Sequence, residues 1–257
     1  MKGKNMEETA YYDKIKSCNS LDELFELWKT KTPQKITFNG KADDTDPQID
    51  HRKNGFIKDG IVDTNQWGIG DNKKILFVMK EAYGENKDWD LTEWLRNVHP
   101  TLRMWKRIAK WVYGLQNTDA KTICPYIRDL SDEKRKWALE QIAVINLKKS
   151  DGDSRSNISE ITSYARADSI ELMKEFELID PDIIVCGTTF HILITEVFGM
   201  QPLNSNELCD NYFYRLDVAG KKRLFLDYYH PANHWDDLLN YYGIVNTYQQ
   251  ALLADEK

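Results

Sequence analysis

The sequence predicts an α/β fold, namely a three-layer α/β/α sandwich around a central sheet of four mainly parallel strands. Two observations lead to this prediction. The chain contains four short runs that are apolar almost throughout, and helical patterns lie between them. Runs without polar alternation are typical of parallel strands covered on both faces, and strands that alternate with helices are typical of α/β domains. In chain order the runs are ILFVM, IAVINL, DIIVC and RLFLDY.

The stretches around these runs predict the outer layers. Ser20 with Glu23 forms a capping box that begins the amphipathic stretch LDELFELWK. Asn157 with Glu160 forms a second capping box, ahead of helical stretches that reach SIELMKEFELI. A further helical pattern, TLRMWKRIAKWVYGL, lies between the first two runs, and another begins near WDDLLNYYGIV after the fourth. DNYFYRLDV predicts an antiparallel edge strand or hairpin before the fourth run.

The N-terminal region has a different pattern. From Thr32 to Asn72 the chain is rich in Gly, Asp, Asn and Lys, without a sustained apolar period. Connections of this length are uncommon inside a domain unless they have a function. We therefore expect an N-terminal helical lead-in and long loop, residues 1–72, packed on an α/β domain of residues 73–257 as one structural unit. A chain of 257 residues with 41% hydrophobic content can bury such a core.

Charge and cysteine content limit the functional classes. The 35 basic and 41 acidic residues give a net charge of −6, so a nucleic-acid partner would need a local basic patch. The four cysteines lie far apart, and neither they nor the histidines have metal-ligand spacing, so we expect reduced thiols, no metal and no cofactor. Neither a secretory leader nor a run of 18 apolar residues is present, which favours a cytoplasmic protein without a membrane partner.

Candidate site residues follow from the rule that parallel sheets bind ligands beyond the carboxyl ends of their strands. Proline after His230 fixes the backbone there, so this histidine is expected to be held rigidly at a strand end. The candidates are Glu81 and Tyr83 after the first run, Asn146, Lys148, Lys149 and Arg155 at the second, Gly187 and Thr188 after the third, and His230 after the fourth.

These motifs resemble the uracil-DNA glycosylase superfamily. ILFVMKEAYGE is similar to its first motif, VINLKKSDGDSRSN to the strand whose asparagine reads the base, PDIIVCGTTF to the strand that ends in glycine, and HPAN to the His-Pro-Ser motif. They occur in the family's order from about Lys74 onward. The chain differs in having Tyr83 where many members have proline, and Ala232 in place of serine. The resemblance implies the strand order second, first, third, fourth.

The resemblance also implies an activity, hydrolysis of the N-glycosidic bond of a flipped uracil or other modified base in DNA. Glu81 would position water and offset the sugar cation, and His230 would stabilise the departing base anion. Asn146 would read the base edge, and Tyr83 would stack on the base. The remaining candidates would contribute substrate contacts, with phosphates for the three cations: Lys148, Lys149, Arg155, Gly187 and Thr188.

Two other classes stay open at this level. A nucleoside or nucleotide glycosidase could act on a small molecule in the same cleft, and a non-catalytic binding module could keep the fold. A basic patch beside the cleft would favour DNA, a closed pocket a small nucleoside-like ligand, and a filled pocket the inactive module. Structural roles are also open: Glu81 could pair with Lys80, Asn146 could satisfy a loop, and the cations near Asp151 could lie in a solvated loop. The sequence does not determine an oligomeric state.

Overall fold

A six-stranded mixed sheet forms the centre of the protein. The computed structural model describes residues 6–35, 48–84, 87–152, 155–201 and 212–255. The strands of this sheet are β4 (Gly60–Ile61), β5 (Ile75–Glu81), β7 (Ile142–Lys148), β8 (Ile183–Gly187), β9 (Phe213–Val218) and β10 (Lys221–Tyr228). Their order in the sheet is β4-β7-β5-β8-β10-β9.

The four predicted runs are the inner strands of this sheet. β7, β5, β8 and β10 lie side by side and all pair in parallel, which is the predicted order. The expectation of four strands is wrong, because an antiparallel strand borders the sheet on each side. β9 is the edge predicted from DNYFYRLDV. β4 lies within the segment predicted to be a loop, and its two residues pair with β7 at Val144 and Ala143.

Helices cover both faces of the sheet. The helices are α1 (Met6–Ser17), α2 (Leu21–Trp28), α3 (Leu91–Val98), α4 (Arg103–Gln116), α5 (Asp132–Glu140), α6 (Ile158–Ala167), α7 (Ser169–Ile179), α8 (Phe190–Ile192, continued by a π-turn, Leu193–Val197) and α9 (Asp237–Asp255). Because side chains alternate along a strand, Ile75 and Phe77 pack with α3, α4, α5 and α9, whereas Leu76 and Val78 pack with α1, α2, α6, α7 and α8. Each face thus has its own apolar core.

The N-terminal region contributes to the main sheet and to two small ones. β1 (Gln34–Lys35) pairs with β2 (Gln48–Ile49), and β3 (Ile57–Lys58) pairs with β6 (Trp89–Asp90). Ser20 accepts a hydrogen bond from the Glu23 backbone N–H at 3.2 Å, as the capping box predicts. The Glu23 carboxylate accepts its bond at 2.9 Å from the backbone N–H of Asn19, one residue before the N-cap, and not from that of Ser20. Residues 36–47 of the predicted loop lie outside the described residues.

A buried charge cluster fastens this region to α6 and α7. Lys31 Nζ lies 2.9 Å from both Asp168 and Glu171, and His51 Nε2 lies 3.0 Å from Asp168. All four side chains are buried, so removing one partner would leave an uncompensated charge at a cost of about 3–5 kcal/mol. Among the described residues, no helix has the length and apolar content needed to cross a membrane.

Candidate functional site

A cavity of about 710 Å³ opens at the carboxyl ends of the inner strands. It lies on the sheet face that packs against α3 and α4, because its walls include Leu91 and Trp94 of α3 and Trp105 of α4. The sequence-predicted residues that line it are Glu81, Tyr83, Asn146 and His230. The ends of three strands therefore place a carboxylate, an amide and an imidazole in the wall of the same cavity.

Strand register explains why Glu81 and Asn146 share this space. β5 and β7 run parallel, with Met79 opposite Asn146 and Glu81 opposite Lys148. Residues two or four apart on a strand point to the same face. Phe77, four residues before Glu81, and Val144, two residues before Asn146, belong to the core on the α3 and α4 side. Glu81 and Asn146 therefore project toward the cavity from adjacent strands.

Glu81 is held by one buried cation and keeps one oxygen unused. Its Oε2 lies 3.2 Å from Lys148 Nζ, and each of these two side chains is 6% exposed. Lys148 also contacts Glu160, at 2.8 Å. Burial opposes the lysine charge, but the Glu160 hydrogen bond and the charges of Glu81 and Glu160 raise the pKa of Lys148 overall. Glu81 Oε1 is buried without a hydrogen-bond partner among the described residues, so one acceptor of this cavity-lining carboxylate is left unsatisfied by the protein.

The amide of Asn146 is oriented by Asp59. Asp59 Oδ2 accepts hydrogen bonds from the Asn146 backbone N–H at 2.7 Å and from Asn146 Nδ2 at 3.0 Å. An ionised carboxylate only accepts hydrogen bonds, so the amide nitrogen must face it. Asn146 therefore directs its oxygen, together with the second N–H, away from Asp59. Lys149 Nζ donates to Asp59 Oδ1 and lies 2.7 Å from Glu175.

His230 is neutral, and one tautomer is favoured. Its Nδ1 accepts a hydrogen bond from the Ala232 backbone N–H at 3.2 Å, so the ring proton resides on Nε2. Burial, with a smaller effect from the charge of Lys80, lowers the pKa of His230 from 6.5 to about 4. At neutral pH the ring is therefore an uncharged N–H donor at the cavity wall.

The loop after His230 is held by Arg107 on α4, a residue that the motif analysis did not select. The Arg107 side chain is 1% exposed. It donates to the carbonyls of Pro231 and Asn233 at 2.8 Å each, to that of Trp235 at 3.0 Å, and to Asp237. Five N–H groups in a planar fork suit such a set of acceptors. Arg107 therefore fixes the strand-end histidine from the far side of its loop.

The polar loop after β7 supports the loop after β5. Gly152 N–H donates to the Ala82 carbonyl at 2.9 Å, and Asp151 accepts a hydrogen bond from the Gly84 backbone N–H. A Cβ atom at Gly152 would lie only 2.6 Å from Glu81 Cγ. The absence of a side chain at Gly152 thus permits the close approach of the two loops.

Indole rings and aliphatic side chains line the other side of the cavity. The Trp89 and Trp94 rings meet edge to face at 6.3 Å, and those of Trp94 and Trp105 at 6.2 Å. Trp89 Nε1 is buried and has no hydrogen-bond partner among the described residues. The remaining apolar residues of this wall are Leu91, Leu102 and Met104. Sequence reasoning assigned these residues to core packing or did not select them.

The other predicted site residues lie outside this cavity. Lys149 is fully buried on its two carboxylates and cannot reach a phosphate, which corrects its predicted role. Lys148 is buried and paired with two acids, which also conflicts with a phosphate contact. Arg155 is exposed. Neither it nor the third-strand pair lines the cavity.

Gly187 and Thr188 lie next to the strands that carry the site and support them by packing and hydrogen bonding. A Cβ atom at Gly187 would lie 3.1 Å from Met79 Sδ and 3.5 Å from His230 Cδ2, so this glycine allows the histidine to pack closely. The Thr188 backbone N–H donates to the Tyr228 carbonyl at 2.9 Å, which joins the ends of β8 and β10. The contacts of these two residues thus support the site, and their predicted role in substrate contact stays a prediction.

Comparisons with protein-family models and with curated proteins find no match to this sequence. In the ranges that the structure describes, no three His, Cys, Asp or Glu side chains are grouped so that they could hold a metal ion. The class that the fold and site define is a mixed α/β protein with a polar and aromatic cavity at the carboxyl edge of its sheet.

Proposed function

We propose that the protein hydrolyses the N-glycosidic bond between a nucleobase and its sugar, as a divergent relative of the uracil-DNA glycosylases. The observation that supports this most strongly is the convergence of Glu81, Asn146 and a neutral His230 on one cavity. The first candidate substrate is DNA with a uracil or other modified base, flipped into the cavity.

The chemistry assigns one role to each group. Cleavage develops positive charge on the sugar and negative charge on the departing base. The unused oxygen of Glu81 accepts a hydrogen bond from the attacking water, and its carboxylate offsets the sugar cation. His230 Nε2–H donates to a carbonyl oxygen of the base, where the leaving charge accumulates. The Ala232 N–H bond to Nδ1 leaves Nε2 as the protonated nitrogen of the neutral ring, so Nε2–H is the donor available to this oxygen.

A small nucleoside is the second candidate substrate, and the buried cations favour it. Of the three cations predicted to contact phosphates, Lys148 and Lys149 are occupied by carboxylates and only Arg155 is exposed. A volume of about 710 Å³ is within the usual range of small-ligand pockets, about 300–1,000 Å³. The cavity is also not filled by side chains, as the inactive-module alternative would require.

One screen tests both candidates. The protein is incubated with oligonucleotides that contain uracil, hypoxanthine or another modified base, scored for abasic sites, and in parallel with the corresponding nucleosides, scored for free base. Glu81→Gln and His230→Ala should each reduce release of the base by on the order of 100-fold or more. Glu160→Gln is the matched control, because Glu160 binds the same lysine as Glu81 but does not line the cavity. Wild-type rates in both site variants would refute the proposal.

A further inference from the structure

A buried ion pair between Asp59 and Lys149 lies next to Asn146. Asp59 precedes β4, and Gly60 at the start of that strand pairs with Val144 of β7. Two residues further along β7, the backbone N–H of Asn146 donates to the Asp59 carboxylate instead of to a strand carbonyl. The Asp59 carboxylate therefore accepts a hydrogen bond from a β7 backbone N–H just beyond the point where β4 stops pairing with β7.

The hydrogen bonds of Asp59 set the orientation of the Asn146 amide. One oxygen of Asp59 binds both the backbone N–H and Nδ2 of Asn146, and the other binds Lys149. The side chains of Asp59 and Lys149 are 0% exposed. Glu175 completes the cluster 2.7 Å from Lys149, and burial together with the charge of Asp59 raises its pKa well above the usual range. Lys149 therefore lies between two buried carboxyl groups, those of Asp59 and Glu175.

We propose that Asp59 is a specificity-determining residue, because it fixes which way the Asn146 amide faces the ligand. This inference rests on the proposed function and names the base edge that the site selects. With Nδ2 held by Asp59, Asn146 presents one acceptor, Oδ1, and one remaining N–H donor. The complementary edge is a ring N–H beside a carbonyl, as in uracil or hypoxanthine. An edge with a ring nitrogen acceptor beside an amino group, as in cytosine or adenine, would meet the amide with both hydrogen bonds reversed.

Asp59→Asn is the decisive variant. An asparagine at this position keeps the shape but can donate as well as accept, so the Asn146 amide can turn over. Binding of uracil and of cytosine is measured by calorimetry for the wild type and the variant, with Asn146→Ala as the reference for lost edge recognition. We expect the wild type to prefer uracil, and the variant to lose about 10- to 100-fold of that preference, the amount typical of a hydrogen bond to a charged group.

Two further variants make the result specific. Glu175→Gln is the matched control, because Glu175 contacts Lys149 in the same cluster whereas Asn146 is bound by Asp59; this variant should keep the wild-type preference. If Asp59→Asn does not fold, the double variant Asp59→Asn with Lys149→Met removes both buried charges together, and it should show the same loss of preference. An NMR spectrum of the Asn146 side-chain amide gives a readout that does not depend on turnover, since release from Asp59 should shift its two N–H resonances.

The possible outcomes separate this inference from the proposed function. An unchanged uracil preference in the folded Asp59 variant would overturn the role of Asp59 and leave the proposed function standing. Wild-type protein that binds neither base, or prefers cytosine, would overturn the inferred edge selection. Loss of preference together with the amide shift would support the inference even if the cleaved substrate were found to be a nucleoside rather than DNA.

Discussion

Acid should destabilise this protein through His230. The folded pKa is lowered from 6.5 to about 4, mainly by burial, whereas the unfolded chain should titrate near the ordinary value of about 6.5. Between these values the unfolded state binds a proton that the folded state does not, so stability falls as pH decreases. The contribution is complete above about pH 6.5, is lost progressively toward pH 4 and is constant below that. Its full size is about 3 kcal/mol, of which about 2 kcal/mol is lost by pH 5.

A matched variant isolates this effect from other titrations. Asp227 acts in the opposite direction, because burial raises its pKa to about 6 and folding then becomes more favourable as this acid takes up its proton. Comparison of the wild type with His230→Gln removes the imidazole while leaving Asp227 in place. Urea unfolding at pH 7 and pH 5 should therefore show that the wild type loses about 2 kcal/mol more stability than the variant over this interval.

A direct titration completes the test. The Cε1 proton of His230, followed by NMR, should titrate near pH 4, and Lys80→Met should move that midpoint upward because a nearby positive charge is removed. A midpoint near 6.5, or equal losses of stability in wild type and His230→Gln, would refute the conclusion that the ring is buried and neutral in the site.

Three further substitutions test how the site is supported. Glu81→Gln should lower turnover by on the order of 100-fold, and unfolding should show a loss of about 1–3 kcal/mol because a buried charged partner of Lys148 is removed. Arg107→Met should lower the free energy of unfolding in urea by about 3–5 kcal/mol, because the loop carbonyls that accept from the buried guanidinium lose their donor. A change under about 1 kcal/mol would contradict this. Gly152→Ala should cost about 1–3 kcal/mol and reduce turnover, because its Cβ would overlap Glu81 and the Ala82 carbonyl, at 2.6 and 2.8 Å. Equal activity and stability in this variant would show that the two loops move apart easily.

Local patterns were sufficient to predict the inner sheet. Each of the four runs is long enough to identify a strand by itself, and the carboxyl ends of parallel strands necessarily meet at one edge. The convergence of Glu81, Asn146 and His230 follows from that geometry. β4 could not be predicted in the same way, because Gly60 and Ile61 have no periodic pattern and become a strand only by pairing with β7.

The effect of a Glu81 substitution on stability depends on the burial of this side chain. A glutamate after a strand is typical of the protein surface, where substitutions usually change stability by only about 0.5 kcal/mol. The Glu81 side chain is 6% exposed and bound to Lys148, so stability depends on it. Burial of a strand-end side chain depends on which loops fold over it, here residues 150–152. The local sequence around Glu81 does not predict that contact.

The phosphate contacts predicted for Lys148 and Lys149, at the end of β7, conflict with the structure for a related reason. Lysines in a polar loop predict phosphate contacts or solvation, but Lys148 binds the candidate catalytic acid and Lys149 binds the acid that orients Asn146. Asp59 is 90 residues from Lys149 along the chain, so their pairing exists only in the folded structure. Both lysines therefore stabilise negative charge within the protein. If the substrate is DNA, the salt dependence of binding must therefore come from other exposed cations, such as Lys87, which lines the cavity, whereas a nucleoside needs no phosphate contacts.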